Sequence, residues 1–127
     1  MAHGYAHNPE GKAAKVYGRS LNVSSKTAQI LCKKITGMNL EKAKRVMENL
    51  ISRKHSLDGK FYTNTSVQML SLLKSAESNA ENMGLDPAKL SVHASSHQGF
   101  KFMRPRRMKM RNTRKKIANV QVVLTER

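Results

Sequence analysis

Apolar residues recur at the spacing of a buried helix face in three successive stretches of this chain. The three stripes are Ala28, Leu31, Cys32 and Ile35, then Leu40, Ala43, Val46, Met47, Leu50 and Ile51, then Val67, Leu70, Leu73, Ala76, Ala80 and Met83. Each stripe follows a residue that can cap a helix, namely Ser24 or Ser25, Asn39, and Asn64 or Thr65. Gly37 and Gly84 supply helix stops. The pattern predicts three helices that share one core.

The spacing changes to alternation on both sides of this helical region. Before it, Val16, Leu21 and Val23 predict the inward side of a strand that is interrupted near Gly18. After it, Asp86 and Pro87 predict one short helical turn. Two alternating stretches follow. The inward side of the first consists of Leu90, Val92, Ala94 and Ser96. In the second, the inward side consists of Val120, Val122 and Leu124, and the outward side consists of Asn119, Gln121 and Val123. Two half-buried strands of this kind predict a hairpin.

Aromatic and methionine side chains interleave with cations between these two strands, at residues 99–116, so this segment cannot be a core strand. The chain is therefore predicted to be α+β, with three helices packed on a small antiparallel sheet and a long protruding C-terminal β-hairpin at about residues 90–125. Residues 1–12 contain two glycines, a proline and no repeating apolar pattern, which predicts an extended N-terminal arm. Residues 13–127 are predicted to form a single domain.

The charge of the chain is concentrated in this hairpin. The formal charge is +16, and residues 87–127 contain 11 basic side chains against one acid. Between Lys101 and Lys116 there are nine cations and no acid: Lys101, Arg104, Arg106, Arg107, Lys109, Arg111, Arg114, Lys115 and Lys116. These cations repel one another in an isolated protein, so a polyanion is the expected partner. The alternative is a disordered solvated tail, but the flanking strand patterns favour a closed hairpin.

The aromatic residues among these cations favour RNA over DNA. Arginine binds phosphate through two hydrogen bonds or stacks on a base. Phe100 and Phe102 add ring faces that suit unpaired bases, which RNA presents more often than DNA does. We therefore predict that the nine cations bind RNA.

Sites of other chemistry are not indicated by the sequence. Cys32 is the single cysteine and lies on an apolar stripe, so it is predicted to be a small buried hydrophobe and neither half of a disulfide nor a nucleophile. His93 and His97 share one strand face, and His3 and His7 have a similar spacing. Two histidines fall short of the three or four ligands that zinc requires, so we expect no metal and no cofactor.

The acidic residues do not form a catalytic cluster. The eight acids are dispersed, and Glu77 and Glu81 are predicted to lie on a solvated helix face near Lys74. No apolar run approaches the roughly 18 residues of a membrane span, so no membrane partner is expected. We predict an intracellular protein that is not an enzyme.

Four stretches resemble one universal family of large-subunit ribosomal proteins, called L-twenty-two in bacteria and L-seventeen in eukaryotes. They are AKVYGRSLNVS at residues 14–24, GMNLEKA at 37–43, KSAESNAE at 74–81 and NVQVVL at 119–124. They stand in the order found in the family, and the third, followed by MGLD at 83–86, is the most specific. The Gly-Leu-Asp element and the arm resemble the archaeal and eukaryotic branch.

The resemblance implies a structural constituent of the large ribosomal subunit in the cytoplasm. Such a protein binds large-subunit rRNA, supports its assembly, and extends its basic β-hairpin to the wall of the nascent-peptide exit tunnel. Its implied partners are the rRNA, neighbouring large-subunit ribosomal proteins and the nascent polypeptide, and it is not expected to be a homo-oligomer.

The resemblance also implies roles for individual positions. By position, the tunnel tip would consist of Arg104, Pro105, Arg106, Arg107, Met108, Lys109, Met110 and Arg111. Further RNA contacts, from the body and the hairpin base, would come from Arg19, Ser24, Lys26, Lys74, Asn79 and His97. The sequence departs from the family at the tip, where more glycine is expected than the Met-Lys-Met found at residues 108–110.

Two other functions compete with a ribosomal role. A free basic RNA-binding module outside the ribosome would be expected to have a compact reading surface, whereas this hairpin has no core of its own. An RNA-processing enzyme would need a catalytic cluster, which the dispersed acids do not supply. The ribosomal role is the prediction.

Overall fold

The computed structural model describes residues 4–127, so His3 lies outside the described part of the chain. Within these residues the chain forms three α-helices, a three-stranded antiparallel sheet and a separate pair of two-residue strands. The elements are β1 (Ala13–Leu21), α1 (Ser25–Ile35), α2 (Leu40–Ile51), α3 (Thr63–Asn82), β2 (Leu90–Gln98), β3 (Phe102–Met103), β4 (Arg114–Lys115) and β5 (Ala118–Glu126). The predicted α+β class, with helices on a small sheet and a C-terminal hairpin, is confirmed.

The sheet has the order β1-β5-β2, so the C-terminal strand is its centre. Leu124 of β5 is paired with Ala14 on one side and with Val92 on the other, so these three buried side chains form a row on the face toward the helices. Helix α1 packs on β2, α3 packs on β1, and α2 packs against α3. All three helices thus lie on one face of the sheet, as the shared core requires.

The outer edge of β2 is covered by the loop between α1 and α2. The Gly37 amide donates to the Val92 carbonyl at 2.8 Å, and the Val92 amide donates to the Met38 carbonyl at 2.9 Å. The Thr36 hydroxyl accepts from the Ala94 amide at 3.2 Å. These bonds satisfy edge groups that would otherwise be open to another strand.

The buried face of helix α3 differs from the predicted stripe at its two ends. Val67 and Met83 are 46% and 44% exposed, so their assignment to the buried stripe is wrong. Met69 is buried instead, together with Leu73, Ala76 and Ala80 of the predicted stripe. Two small polar residues in the first turns, Thr65 and Ser66, are buried as well. The Thr65 hydroxyl lies 3.0 Å from that of Thr27 on α1, which makes a polar side chain acceptable inside the core.

The predicted helix caps are correct in position for two helices. Ser24 and Asn39 are the N-cap residues of α1 and α2, although neither side chain bonds to a first-turn amide. The prediction for α3 is wrong, because its N-cap is Tyr62 and Asn64 lies inside the helix. The Asn64 side chain donates to the Asn22 carbonyl at 3.2 Å, so it joins the helix to the preceding loop instead. The cap at Asp86 is confirmed by its bond from the Ala88 amide.

Strand β5 is buried on both faces, which the predicted alternation did not include. Gln121 and Val123 were expected on the outward side, yet they are only 6% and 1% exposed. The N-terminal arm lies across this side of the sheet and bonds to Gln121 from Gly4 and Ala6. No helix in residues 4–127 is both long and apolar enough to cross a lipid bilayer.

Candidate RNA-binding surface

The cations of the hairpin are all on the surface. Every residue from Phe100 to Asn112 is exposed, and so are Arg114, Lys115 and Lys116. Residues 87–125 contain no acid that could neutralise these charges within the hairpin. The ion pairs found in the described residues lie elsewhere, at Lys44 with Glu77 and at Lys89 with Asp86. The nine predicted cations therefore present an uncompensated positive surface.

Gly99 allows the two strands of the hairpin to approach each other closely where the hairpin leaves the sheet. Its amide donates to the Ile117 carbonyl at 2.9 Å. A Cβ atom at this position would lie only 2.6 Å from Ile117 Cγ2 and 3.2 Å from backbone atoms of the same residue. The close approach admits only glycine without a local shift. Beyond it, the pairs Phe102 with Lys115 and Met103 with Arg114 form the short outer ladder.

The tip is a turn closed by hydrogen bonds between its own residues. The Arg104 amide donates to the Thr113 carbonyl at 3.2 Å, and the Thr113 hydroxyl donates to the Met110 carbonyl at 2.7 Å. Met108 and Asn112 have φ angles of 42° and 58°, in the left-handed region that glycine usually occupies. The turn thus has the backbone shape that glycines would favour, although the sequence has none there. Met108, within this turn, is 91% exposed.

A groove lies where the hairpin leaves the body, beside the start of α1. Its volume is about 470 Å³. It is lined by Ser24, Ser25 and Lys26 of the body and by Gln98, Phe100, Lys101, Arg114, Lys115, Lys116 and Ile117 of the hairpin. The fold therefore joins two predicted RNA contacts near the start of α1 to four predicted cations of the hairpin. Ser25, Gln98 and Ile117 were not predicted as site residues, because only the folded chain brings them here.

The two phenylalanines predicted to stack on bases lie next to each other, but of the two only Phe100 lines this groove. Phe100 and Phe102 are 57% and 47% exposed, with ring centroids 6.3 Å apart and ring planes at 82°. The Lys115 ammonium lies 5.9 Å from the centroid of the Phe102 ring, within cation–π distance. Exposed rings among cations are the combination that binds unpaired nucleotides.

Lys74 lies apart from the hairpin, in a depression of mixed charge between α2 and α3. This depression also contains Glu41, Glu48 and Glu77. Glu77 forms an ion pair with Lys44 at 2.6 Å, so the prediction that it is merely solvated is wrong, whereas Glu81 is exposed as predicted. The neighbouring carboxylates make this surface less favourable for phosphate than the groove.

The other predicted RNA contacts of the body are the side chains of Asn79, His97 and Arg19. The Asn79 amide donates to the Lys15 carbonyl at 3.3 Å and ties α3 to β1. His97 Nε2 lies 3.0 Å from Asn119 Nδ2 at the hairpin end of the sheet. Arg19 is exposed where the pairing of β1 with β5 becomes irregular. These three side chains are on the surface but do not line the groove.

The N-terminal arm is fastened to the outer face of the sheet through Gln121. The Gln121 side chain donates to the Gly4 carbonyl and accepts from the Ala6 amide, both at 2.9 Å. His7 stacks on His93 with centroids 4.3 Å apart, and Tyr5 meets Tyr17 edge to face at 6.4 Å. No periodic pattern in the sequence predicts this contact, because it depends on a single glutamine side chain that bonds to backbone groups of a distant segment.

The stack of His7 on His93 should make the contact between the N-terminal arm and the sheet sensitive to acid. Burial, and then the nearby His7, lower the pKa of His93. A lowered pKa means that the docked state favours the neutral ring, so its stability is present above the ordinary value of about 6.5 and is lost as the pH falls below it. We expect the nuclear Overhauser contacts between Tyr5 and Tyr17 to weaken between about pH 7 and 5.

A phenylalanine at position 93 is the matched control for this prediction, since it keeps a flat ring but cannot be protonated. The His93→Phe variant should retain the contact between the two tyrosines at low pH. Contacts of constant intensity in the unmodified protein over the whole range would contradict the prediction.

Cys32 of α1 is buried beside β2, as its predicted role of a small buried hydrophobe requires. It is 3% exposed, and burial raises the pKa of its thiol to about 11, offset in part by the Ser96 hydroxyl. The thiol is therefore protonated at neutral pH. In the part of the chain that the structure describes, no three side chains of histidine, cysteine, aspartate or glutamate converge as metal ligands.

The fold and this surface define a class of protein: a small α+β body from which an acid-free cationic hairpin projects, as in proteins built into ribonucleoprotein particles. Comparison with known proteins gives the family. The family model described as ribosomal protein L22p/L17e matches residues 16–125, and the chain belongs to this family. It is therefore a ribosomal protein of the cytoplasmic ribosome and not an enzyme.

Similar proteins occur in methanogenic archaea. The chain is 33% identical to the large ribosomal subunit protein uL22 of Methanococcus aeolicus, over 91% of this chain and 90% of that protein. It is 30% identical to uL22 of Methanococcoides burtonii, over 90% and 89% of the two chains, and 31% identical to uL22 of Methanocella arvoryzae, over 68% and 69%. These relatives agree with the archaeal and eukaryotic branch that the sequence resembles.

Proposed function

We propose that this protein is a structural constituent of the large ribosomal subunit that binds large-subunit rRNA through its hairpin and supports assembly of that RNA. The observation that carries the proposal is the exposed, acid-free set of nine cations on an extension with very little internal pairing. A two-stranded ribbon of this kind is marginally stable alone, so surrounding RNA is its natural support. The relatives are large-subunit proteins by name, and the chain covers most of their length.

The groove is the second part of the proposed RNA surface. Ser24 and Lys26 contribute from the N-cap and first turn of α1, and Lys101, Arg114, Lys115 and Lys116 from the hairpin. We assign Arg19, Lys74, Asn79 and His97 to further contacts on the body, with Lys74 the weakest because carboxylates surround it. Neighbouring ribosomal proteins complete the proposed partners.

The tip is proposed to reach the wall of the nascent-peptide exit tunnel. Met108 is almost fully exposed on a turn whose other side chains, from Arg104 to Arg111, are exposed as well. An exposed thioether offers a flexible apolar contact to passing polypeptide. The cations beside it would hold the turn against RNA phosphates.

A photocrosslinking amino acid at Met108 tests the placement. On intact ribosomes with stalled nascent chains, we expect adducts to the nascent chain from position 108. The same amino acid at Val67, which is also exposed but lies on α3, should give none. Incorporated protein that yields no nascent-chain adduct from several tip positions would refute the tunnel contact, whereas protein that fails to sediment with large subunits in high salt would refute the ribosomal role itself.

A further inference from the structure

The groove beside α1 contains a feature that phosphate binding alone does not require. Phe100 lines it and is 57% exposed, although a phenylalanine ring in water forgoes the free energy of burial. The rings of Phe100 and Phe102 are nearly perpendicular, so they do not cover each other as a parallel stack would. The Phe100 ring therefore remains accessible to a stacking partner at a cationic surface.

The other walls of the groove supply the polar groups that a nucleotide needs. Lys26 lies on the side of α1, and Lys101 and Lys115 lie on the side of the hairpin. Gln98, at the end of β2, carries both a donor and an acceptor, as the edge of a base requires. The volume of about 470 Å³ is in the range of pockets that hold small ligands, and the groove is partly open to solvent.

We infer that this groove receives one unpaired nucleotide of RNA. Its base stacks on Phe100, while the phosphates on either side of it lie between Lys26 and Lys101. The inference rests on the proposed function and adds the class of RNA feature that this part of the surface selects. A regular duplex cannot use the ring, because its bases are already stacked on one another. A bulged or looped-out base can.

The test compares two RNAs with the full-length protein. One is a stem with a single bulged purine analogue whose fluorescence is quenched by stacking, and the other is the fully paired parent stem. We expect the protein to bind the bulged stem about tenfold more tightly and to quench the analogue, since one base stacked on an aromatic side chain contributes at this level. Phe100→Leu should bring the two affinities together and abolish the quenching, while binding of the paired stem is unchanged.

Two matched pairs of variants locate the effect. Phe102→Leu removes the neighbouring ring, which is outside the groove lining, and should retain the preference for the bulge. Lys26→Gln should weaken binding of the bulged stem more than that of the paired stem. Lys33→Gln removes the same charge from the last turn of the same helix and should affect both stems equally. Phe100 is exposed, so its replacement leaves the core intact, and thermal unfolding checks this.

The outcomes separate this inference from the proposed function. Equal affinity of the unmodified protein for the two stems would overturn the nucleotide site and leave general RNA binding standing. A preference for the bulge that survives Phe100→Leu would also overturn it. Failure to bind either stem, even at low salt, would overturn the proposed function together with the site.

Discussion

Replacing the five cations of the tip with glutamine should make binding to large-subunit rRNA far less sensitive to salt. The residues are Arg104, Arg106, Arg107, Lys109 and Arg111, all exposed and without an acidic neighbour in the hairpin. Each phosphate neutralised contributes about 0.7 to 0.9 to the slope of log affinity against log salt. If every one of the five meets a phosphate, the slope should fall by about 3.5 to 4.5. Filter binding to deproteinised large-subunit RNA over a range of salt measures it.

The control removes the same charge from the body. Lys33, Lys34, Lys42, Arg45 and Lys54 are also exposed, but they lie on or just beyond α1 and α2. Their replacement by glutamine should change the slope by less than about one, because none of these five side chains is predicted to contact a phosphate. An equal loss of slope from both sets would mean that net charge alone governs binding and would remove the hairpin from its proposed role.

The hydrophobic pattern was sufficient for most of the body. In α1 and α2 every buried residue belongs to the predicted stripe, because these helices have one dry face and one densely charged face. The alternation that begins at Leu90 likewise predicted β2, and Gly37 follows the end of α1 as expected. A helix or strand can be predicted from sequence when its buried face is apolar and its exposed face is strongly polar.

Helix α3 lacks that contrast, which explains the error there. It is contacted by α2 on one side and by β1 on another, so its buried surface is wide and irregular. Serines and threonines occupy several of its positions, and two of them, Thr65 and Ser66, are buried. Because these two buried positions are polar, the predicted stripe began at Val67 instead and did not include Met69.

The candidate site was only partly predictable for a different reason. The cations and the two phenylalanines were identified because they are local in the sequence. The groove depends on contact between the start of α1 and the base of the hairpin, and no local pattern records contacts between distant segments. The docking of the arm on Gln121 is of the same kind. The division into an arm at residues 1–12 and a domain at 13–127 stays a prediction.

Shortening Met69 to alanine should destabilise the protein strongly and so test the corrected face of α3. Met69 is 1% exposed and belongs to the common core, so shortening its side chain leaves a cavity there. Removal of a buried methionine side chain costs about 2 to 5 kcal/mol of the free energy of unfolding. Urea unfolding of the full chain, followed by circular dichroism, gives this difference.

Met83 provides an internal control with the same chemical change. It lies at the C-cap of α3, is 44% exposed, and was placed in the buried stripe by the sequence pattern. Met83→Ala should change the free energy of unfolding by about 0.5 kcal/mol or less, as expected for a surface position. A large loss at Met83 with a small one at Met69 would restore the face drawn from sequence, and with it a different packing of α3 on β1. The two variants together decide which face of α3 packs into the core of the body.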